Sequence, residues 1–573
     1  MADRIDGVEL ESALQQRADY IPIEDLLNET SQQGDLFSRV AQELTNRGLR
    51  TIVGPRGCGK THMMRFAWLK CRDDSSMPFA VYVSFNRYFR LEPLLSSHAS
   101  ALGQFHSWVL ARIILAVVDS AQSWQPEVSV ELPPPLTEGG LQSFVSRTER
   151  NLPLDDDMKV IADGLSIERV QALIASARAQ AGRKFSVLLM DDAALTLTPD
   201  YLIEFLDIVR SLKSIDLAPK ASVYPGTTEV SPKFHQGQDS VAIPAWVCIE
   251  DPGYDDVMDG IAHTRVKGFQ STPVDVRVML RFAAFGIPRA YLTMLDEFLR
   301  GDHRTTQQGV TRTIQEHLDA RLAEFRSLGK KVPKLASLVE AGEKVLDGMV
   351  REIKTFNEGV GGKGHRQLTV GVVESELTPV VERMFNLLVE AGLTYDNSTV
   401  KHGTPSRIYR RYIPHAANLL SIRAIGGGES GGSIRQTVEA IRFKSAKHPV
   451  RKSLQRIVPE VDFGSLSLSL PKCASCHAPR MTDSQRFCHN CGQQLVDAST
   501  FSQCLETPIA QVPGLTVWQR AQIDEHLPNL KTLRDFLAKQ DPAADLLTVR
   551  GFGRRRTARI VDVLNGFVDE YLS

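Results

Sequence analysis

The sequence predicts an α/β protein that ends in small helical and metal-bound modules. Three observations carry that prediction. Residues 54–61, reading Gly-Pro-Arg-Gly-Cys-Gly-Lys-Thr, fit the pattern G-x-x-x-x-G-K-[ST] at every fixed position, between an apolar run at 49–53 and a helical pattern at 62–70. Residues 185–190 form a second apolar run that ends in Asp191 and Asp192. Cys473, Cys476, Cys488 and Cys491 form two C-x-x-C pairs with eleven residues between them.

The 573 residues suggest roughly four domains. An apolar fraction of 42% allows large cores, and the net charge of −1 hides an uneven distribution. No unbroken apolar stretch of about 18 residues occurs, so no membrane span is expected. The polar start, Met1-Ala2-Asp3-Arg4, carries no secretory signal. Eight cysteines in so long a chain do not make a disulfide scaffold. Four of them at metal-ligand spacing fit a reducing cytosol, so a cytoplasmic protein is expected.

In chain order, helical spacing at 21–48 stops at Asn46-Arg47-Gly48. The run at 49–53 then reads as a strand, the glycine loop follows, and 62–70 reads as a helix. Strand, loop and helix in that order form a phosphate cradle. Glycines let backbone N–H groups close on an anion, and the helix N-terminus adds partial positive charge. The expected nucleotide contacts are Gly54, Pro55, Arg56, Gly57, Cys58, Gly59, Lys60, Thr61 and His62. Lys60 reaches the outer phosphates, and the Thr61 hydroxyl ligates Mg²⁺. Residues 78–85 read as a second strand and 106–121 as an apolar helix. Residues 122–160, rich in Pro, Gly and acids, read as an insertion. At the end of the strand 185–190, Asp191 lies beside the metal and Asp192 polarises the attacking water. Residues 246–250 read as the last core strand, 255–300 as helices, and 308–356 as a charged helical spacer.

The order of the P-loop, the Asp191–Asp192 pair, Ala221-Ser222-Val223-Tyr224-Pro225-Gly226-Thr227-Thr228 and Gly286-Ile287-Pro288-Arg289 resembles AAA+ ATPases of the origin-recognition-like branch. The resemblance covers about residues 20–420. It implies a parallel-sheet ATPase core, a helical lid and a winged-helix domain, with ATP and Mg²⁺ as cofactors. It also implies that Thr227 or Thr228 senses the γ-phosphate, with Thr228 preferred, and that Arg289 touches the phosphates from the lid. The family's acid pair is Asp-Glu. The shorter Asp192 therefore implies slow turnover or switch-like use of ATP. Where the family has an arginine finger, this chain has Ser231-Pro232-Lys233-Phe234, so assembly with a second copy through Lys233 stays open.

Residues 378–391 read as an amphipathic helix, 400–406 as a polar turn and 407–413 as a basic strand. Together they resemble the winged helix that follows the lid in that family. Arg407, Arg410 and Arg411 are the expected DNA contacts there, through backbone phosphates. The glycine-rich stretch 426–433 reads as a flexible linker and the clearest boundary. Residues 434–456 read as basic helix. The four cysteines, each pair on a tight turn, suit a closed tetrahedral Zn²⁺ site similar to a zinc ribbon, with His477 and His489 as bystanders. Residues 545–560 look like a helix-hairpin-helix, with Gly551 and Gly553 in the hairpin and Arg550, Arg554, Arg555, Arg556 and Arg559 around it. Residues 523–537 resemble a degenerate first hairpin of a tandem pair. That geometry grips a phosphate without reading bases.

The expected domains are an ATPase core at 1–250, lid and spacer at 251–365, winged helix at 366–425, linker and basic helix at 426–465, zinc ribbon at 466–497 and hairpin domain at 498–573. The expected function is an ATPase whose nucleotide state controls DNA engagement, in a bacterial defence, mobile-element or replication system. No nuclease motif is present, so any cutting belongs to an effector partner. The alternative is a signalling ATPase that switches a protein effector.

Overall fold

The structure is a computed structural model. It describes residues 18, 21–31, 35–97, 100–124, 127–192, 199–225, 234, 237–360, 364–403, 407–426, 432–445, 449–470, 472–473, 475–481, 485, 487–493, 495, 500–539, 541–569 and 571. The chain forms two compact units. One holds residues 1–82, 181–194 and 212–469; the other holds 83–180, 195–211 and 470–573.

The first unit is built on a five-stranded sheet in the order β2-β3-β4-β1-β5. Its strands are β1 (Arg50–Val53), β2 (Phe79–Ser84), β3 (Ser186–Asp191), β4 (Leu217–Val223) and β5 (Val241–Pro244). The pairings β3–β4, β4–β1 and β1–β5 are parallel. Every residue of β3 and β4 is buried, as continuous apolar runs in a covered parallel sheet should be. Helix Lys60–Asp73 packs against β3 and against helix Asp35–Thr45. The last core strand is β5, not residues 246–250. Those residues lie in an irregular segment whose Trp246 indole donates to Phe285 O at 2.8 Å.

Three helices follow, Tyr254–Arg265, Val274–Ala283 and Pro288–Arg300. Arg281 on the second is paired with Asp255 and Asp259 of the first, and Tyr291 on the third donates to Asp259. The long helices Thr306–Lys331 and Ala336–Glu358 are packed elements, not a solvated spacer, and bury Ile314, Leu318, Val345 and Met349. A second sheet in the order β11-β7-β9-β8 joins β7 (Val370–Val373), β8 (Thr394–His402), β9 (Arg407–Pro414) and β11 (Val450–Arg451). The strand β8 runs through 400–402, where a turn was expected, because it pairs with β9 up to His402↔Arg407. Two-residue strands β6 (Arg366–Gln367) and β10 (Lys444–Ser445) also pair.

The glycine-rich stretch therefore does not end this unit. Beyond it, helix Ile434–Arg442 packs on helix Val274–Ala283, and β10 and β11 pair with β6 and β7. Residues 427–431 themselves lie outside the described residues.

The second unit is helical. Helix Ala101–Gln122 is long and apolar enough to cross a membrane, but most of that stretch is buried, which marks it as a core helix. Phe105 stacks on Tyr201 at 4.3 Å, and Trp108 meets Phe85 edge-on at 5.8 Å. The expected insertion 122–160 contains helices Glu138–Glu149 and Asp156–Asp163, started by the Thr137 and Asp155 side chains as caps. Their caps explain how a stretch rich in acids and glycine still forms helix. The C-terminal part of this unit, with Phe501, Cys504, Leu533, Phe536, Ile560 and Leu564 at its core, also packs on Tyr88. Phe501 N donates to Glu92 at 2.9 Å, and Arg150 donates to Lys539 O at 2.8 Å.

Candidate nucleotide site, metal centre and basic hairpin

The glycine-rich loop leaves β1 at Gly54, whose N–H donates to Val223 O of β4 at 3.4 Å. A Cβ on Gly54 would stand 2.5 Å from the Cys58 sulfur, so only glycine fits. Cys58 is buried inside the loop, and burial pushes its thiol up. It fills the loop's interior as a small apolar group. Gly59, at φ 93°, starts helix Lys60–Asp73 in the left-handed region.

Lys60 donates to the loop carbonyls of Gly54 and Pro55 and lies 4.5 Å over the Tyr224 ring. Tyr224 follows the last residue of β4, and its hydroxyl accepts from Arg56 Nε at 2.8 Å. The residue at the tip of that strand beside the lysine is thus an aromatic ring, which sequence reading passed over in favour of Thr227 and Thr228. Those two threonines and Lys233 lie outside the described residues.

The turn before helix Pro288–Arg300 reaches the loop directly. Arg289 N donates to Gly57 O at 3.2 Å, and a Cβ on Gly57 would meet Ile287 and Arg289 at 3.0 and 3.1 Å. Gly286 has φ 76°, and a Cβ there would come within 1.9 Å of Val247 O. From another side, a Cβ on Gly392 would lie 2.8 Å from Ile287 and 3.7 Å from Pro55. Arg321 donates to Ala391 O at 3.3 Å, and Arg56 is among the charges that lower its pKa after burial. Arg321 is therefore a third arginine near the loop, on a helix read from sequence as spacer. Behind it, His317 and His415 have ring centroids 5.8 Å apart, and burial holds both neutral.

Asp191, at the end of β3, is fully buried. Its Oδ2 accepts from Tyr82 at 3.0 Å, while Oδ1 has no hydrogen-bond partner. A buried carboxylate oxygen left over in this way suits a hard cation, and a carboxylate with the Thr61 hydroxyl is an oxygen donor set of the Mg²⁺ kind. Asp192 sits at φ 52°, and its N–H donates to Ser222 Oγ of β4 at 2.9 Å. A non-glycine residue held left-handed beside a buried acid is local strain of the sort that gathers at working sites. His62 is engaged with Thr30. Its Nε2 is 2.7 Å from Thr30 Oγ1, and burial brings its imidazole down to about 4.

The four cysteine sulfurs lie within 4.8 Å of one another, with Cys473–Cys491 at 3.6 Å and Cys476–Cys488 at 3.5 Å. A zinc–sulfur bond near 2.3 Å gives a tetrahedron edge of about 3.8 Å, so the cluster fits Zn²⁺. Both knuckles share one geometry. His477 N donates to Cys473 O, and Gly492 N donates to Cys488 O, each at 2.9 Å. His477 (φ 55°) and Gly492 (φ 71°) hold the same left-handed position. The Ala478 N–H, foremost, brings the Cys476 thiol down to about 6, while against the Gln493 N–H the hydrogen bonds with the neighbouring thiols push Cys491 up, so the thiolate settles on one sulfur of the cluster first.

The basic segments differ. Arg410 is committed within the fold, bonded twice to Asp396 and paired with Glu382. Arg411 donates to Ser398 O at 2.8 Å. Arg407, with Lys401 and His402, is exposed toward the tip of the β8–β9 hairpin. In the C-terminal segment, helices Pro542–Leu547 and Arg554–Asp569 flank a turn with Gly551 at φ 94°. Arg550, Arg554, Arg555 and Arg556 are exposed there, and Arg559 is half-buried.

The chain matches no protein-family model and no curated protein sequence. Among solved structures it is similar to a Walker-type ATPase of Pyrococcus abyssi, with TM-score 0.36 and 14% identity over 68% of this chain and 94% of that one. It is also similar to the ORC1 protein of Aeropyrum pernix, solved in complex with DNA (TM-score 0.28, 15% identity, 68% and 90% covered). A third is Cdc6p from Pyrobaculum aerophilum, at TM-score 0.22 and 13% identity over 73% and 93%.

Proposed function

We propose that this chain is a Mg²⁺-dependent ATPase of the AAA+ kind, of the origin-recognition-like branch, whose nucleotide state governs its grip on DNA. The observation that carries the reading is the phosphate loop with Lys60, met by Arg289 of the lid turn, together with a buried Asp191 that has one carboxylate oxygen unpartnered. The loop N–H groups and Lys60 bind the phosphates. Thr61 and Asp191 would hold Mg²⁺, which would supply charge neutralisation at the phosphates. Asp192 orients water. Lys60 is held by Gly54 O, Pro55 O and the Tyr224 ring, so a bound phosphate competes for a lysine already close by. Arg407 and the exposed C-terminal arginines hold DNA phosphates; Arg410, spent on two carboxylates, is structural. Zn²⁺ at the four cysteines staples a segment too small for its own core.

Nucleotide binding and turnover test this reading directly. Lys60→Ala abolishes ATP binding measured by calorimetry. Asp192→Asn keeps ATP affinity but cuts kcat by about 100-fold or more, as loss of a water-orienting base should. Wild-type protein that neither binds nor hydrolyses ATP overturns the reading.

A further inference from the structure

Trp518 is a surface feature that phosphate gripping leaves unexplained. It stands at the start of helix Val517–His526, which Thr516 and Gln519 fix with a capping box. The indole is 45% exposed, and Val517 beside it is exposed as well. It is nevertheless held in place. A Cβ on Gly551 would lie 3.1 Å from its ring, Phe552 meets it edge-on at 5.6 Å, and the Arg556 guanidinium lies 5.0 Å over it. Arg556 also donates to Gly551 O at 2.6 Å. A large aromatic is thus locked beside the hairpin turn, at the border of exposed arginines.

The geometry points to Trp518 as a stacking platform for an unpaired base of a DNA strand whose phosphates the hairpin arginines hold. The ligand class is DNA in which duplex gives way to single strand. This rests on the DNA reading above and sharpens it. In uniform duplex every base is already stacked, so the indole meets no free π-face; at a gap, fork or frayed end it does. The neighbouring positive charge fits a polyanion, and the fixed ring loses little entropy on binding.

Anisotropy titrations of the full-length protein test this, with a blunt duplex and the same duplex bearing a single-stranded extension. Wild type binds the extended DNA about tenfold tighter. Trp518→Ala loses that preference and keeps its blunt-duplex affinity, while Trp518→Phe retains most of the preference. Circular-dichroism melts confirm that each variant folds. A wild type without preference overturns the inference, as does Trp518→Ala weakening both DNAs equally. A preference unchanged in Trp518→Ala also overturns it. Combined Arg554→Ala and Arg555→Ala weakens both DNAs; if it weakens neither, the DNA reading itself falls.

Discussion

Lys220 shows how much a single side chain can carry without any motif to announce it. It sits in the middle of β4 with no exposure, and its ammonium donates to Asn46 O and Gly48 O at 2.6 and 2.7 Å. Those carbonyls belong to the turn that leads into β1, so the lysine ties the approach of the glycine-rich loop to the sheet. Burial, foremost, brings its pKa down to about 7. In the unfolded chain it returns to about 10.4. Between those values the unfolded state holds the extra proton, so stability rises with pH from about 7 to 10 through this group. In Lys220→Met this part of the slope disappears. Melting temperatures of both proteins at pH 7 and 9.5 check it; equal shifts in the two would contradict the assignment. Asp191, Lys60 and the cysteines were readable from sequence because each belongs to a short local pattern. Lys220 and Tyr224 were not, since their roles arise only when β4 is placed beside β1.

At the scale of elements, the two cysteine knuckles are the clearest internal comparison. One uses Gly492 at its left-handed position and the other uses His477, an exposed side chain with no ligand role in the geometry. A residue with a Cβ is strained there, by roughly 1 kcal/mol. His477→Gly therefore leaves zinc stoichiometry unchanged and stabilises the knuckle by up to that amount. Metal content by mass spectrometry and resistance of the knuckle to a chelator read the two effects. A loss of metal in this variant would make His477 a ligand after all. The same scale explains where sequence reading failed. Periodicity finds long elements such as Thr306–Lys331, but a two-residue strand such as β10 has no period to detect, and its partner lies far away in the chain. Residues 246–250 look like a strand because they are apolar. They are apolar because Trp246 packs against Phe285 and Tyr395, at 5.6 and 4.7 Å.

For the molecule as a whole, the α/β sheet was readable, while membership of the compact units was not. The C-terminal hairpin segment was expected as a separate domain at 498–573. It shares a core with residues 83–180, through Tyr88, Glu92 and Arg150. Deleting residues 498–573 thus removes part of that core. It bares an apolar face of the second unit, and the truncated chain should melt several degrees lower or aggregate. Arg554→Ala with Arg555→Ala, at exposed positions, should stay within about 2 °C of wild type by calorimetry. An undisturbed melt in the truncated chain would show that the shared core contributes little.

That shared core also sets a timetable for biosynthesis. The ribosome releases residues 83–180 nearly three hundred residues before it begins the segment at 470. At about 5–20 residues per second the wait is roughly 15 to 60 seconds. Throughout it the surface around Tyr88 and Glu92 lacks the neighbour that covers it, long enough for a chaperone to intervene or for nascent chains to stick together. Glu92, an acid on a short helix that later accepts from Phe501, helps keep that waiting surface wet.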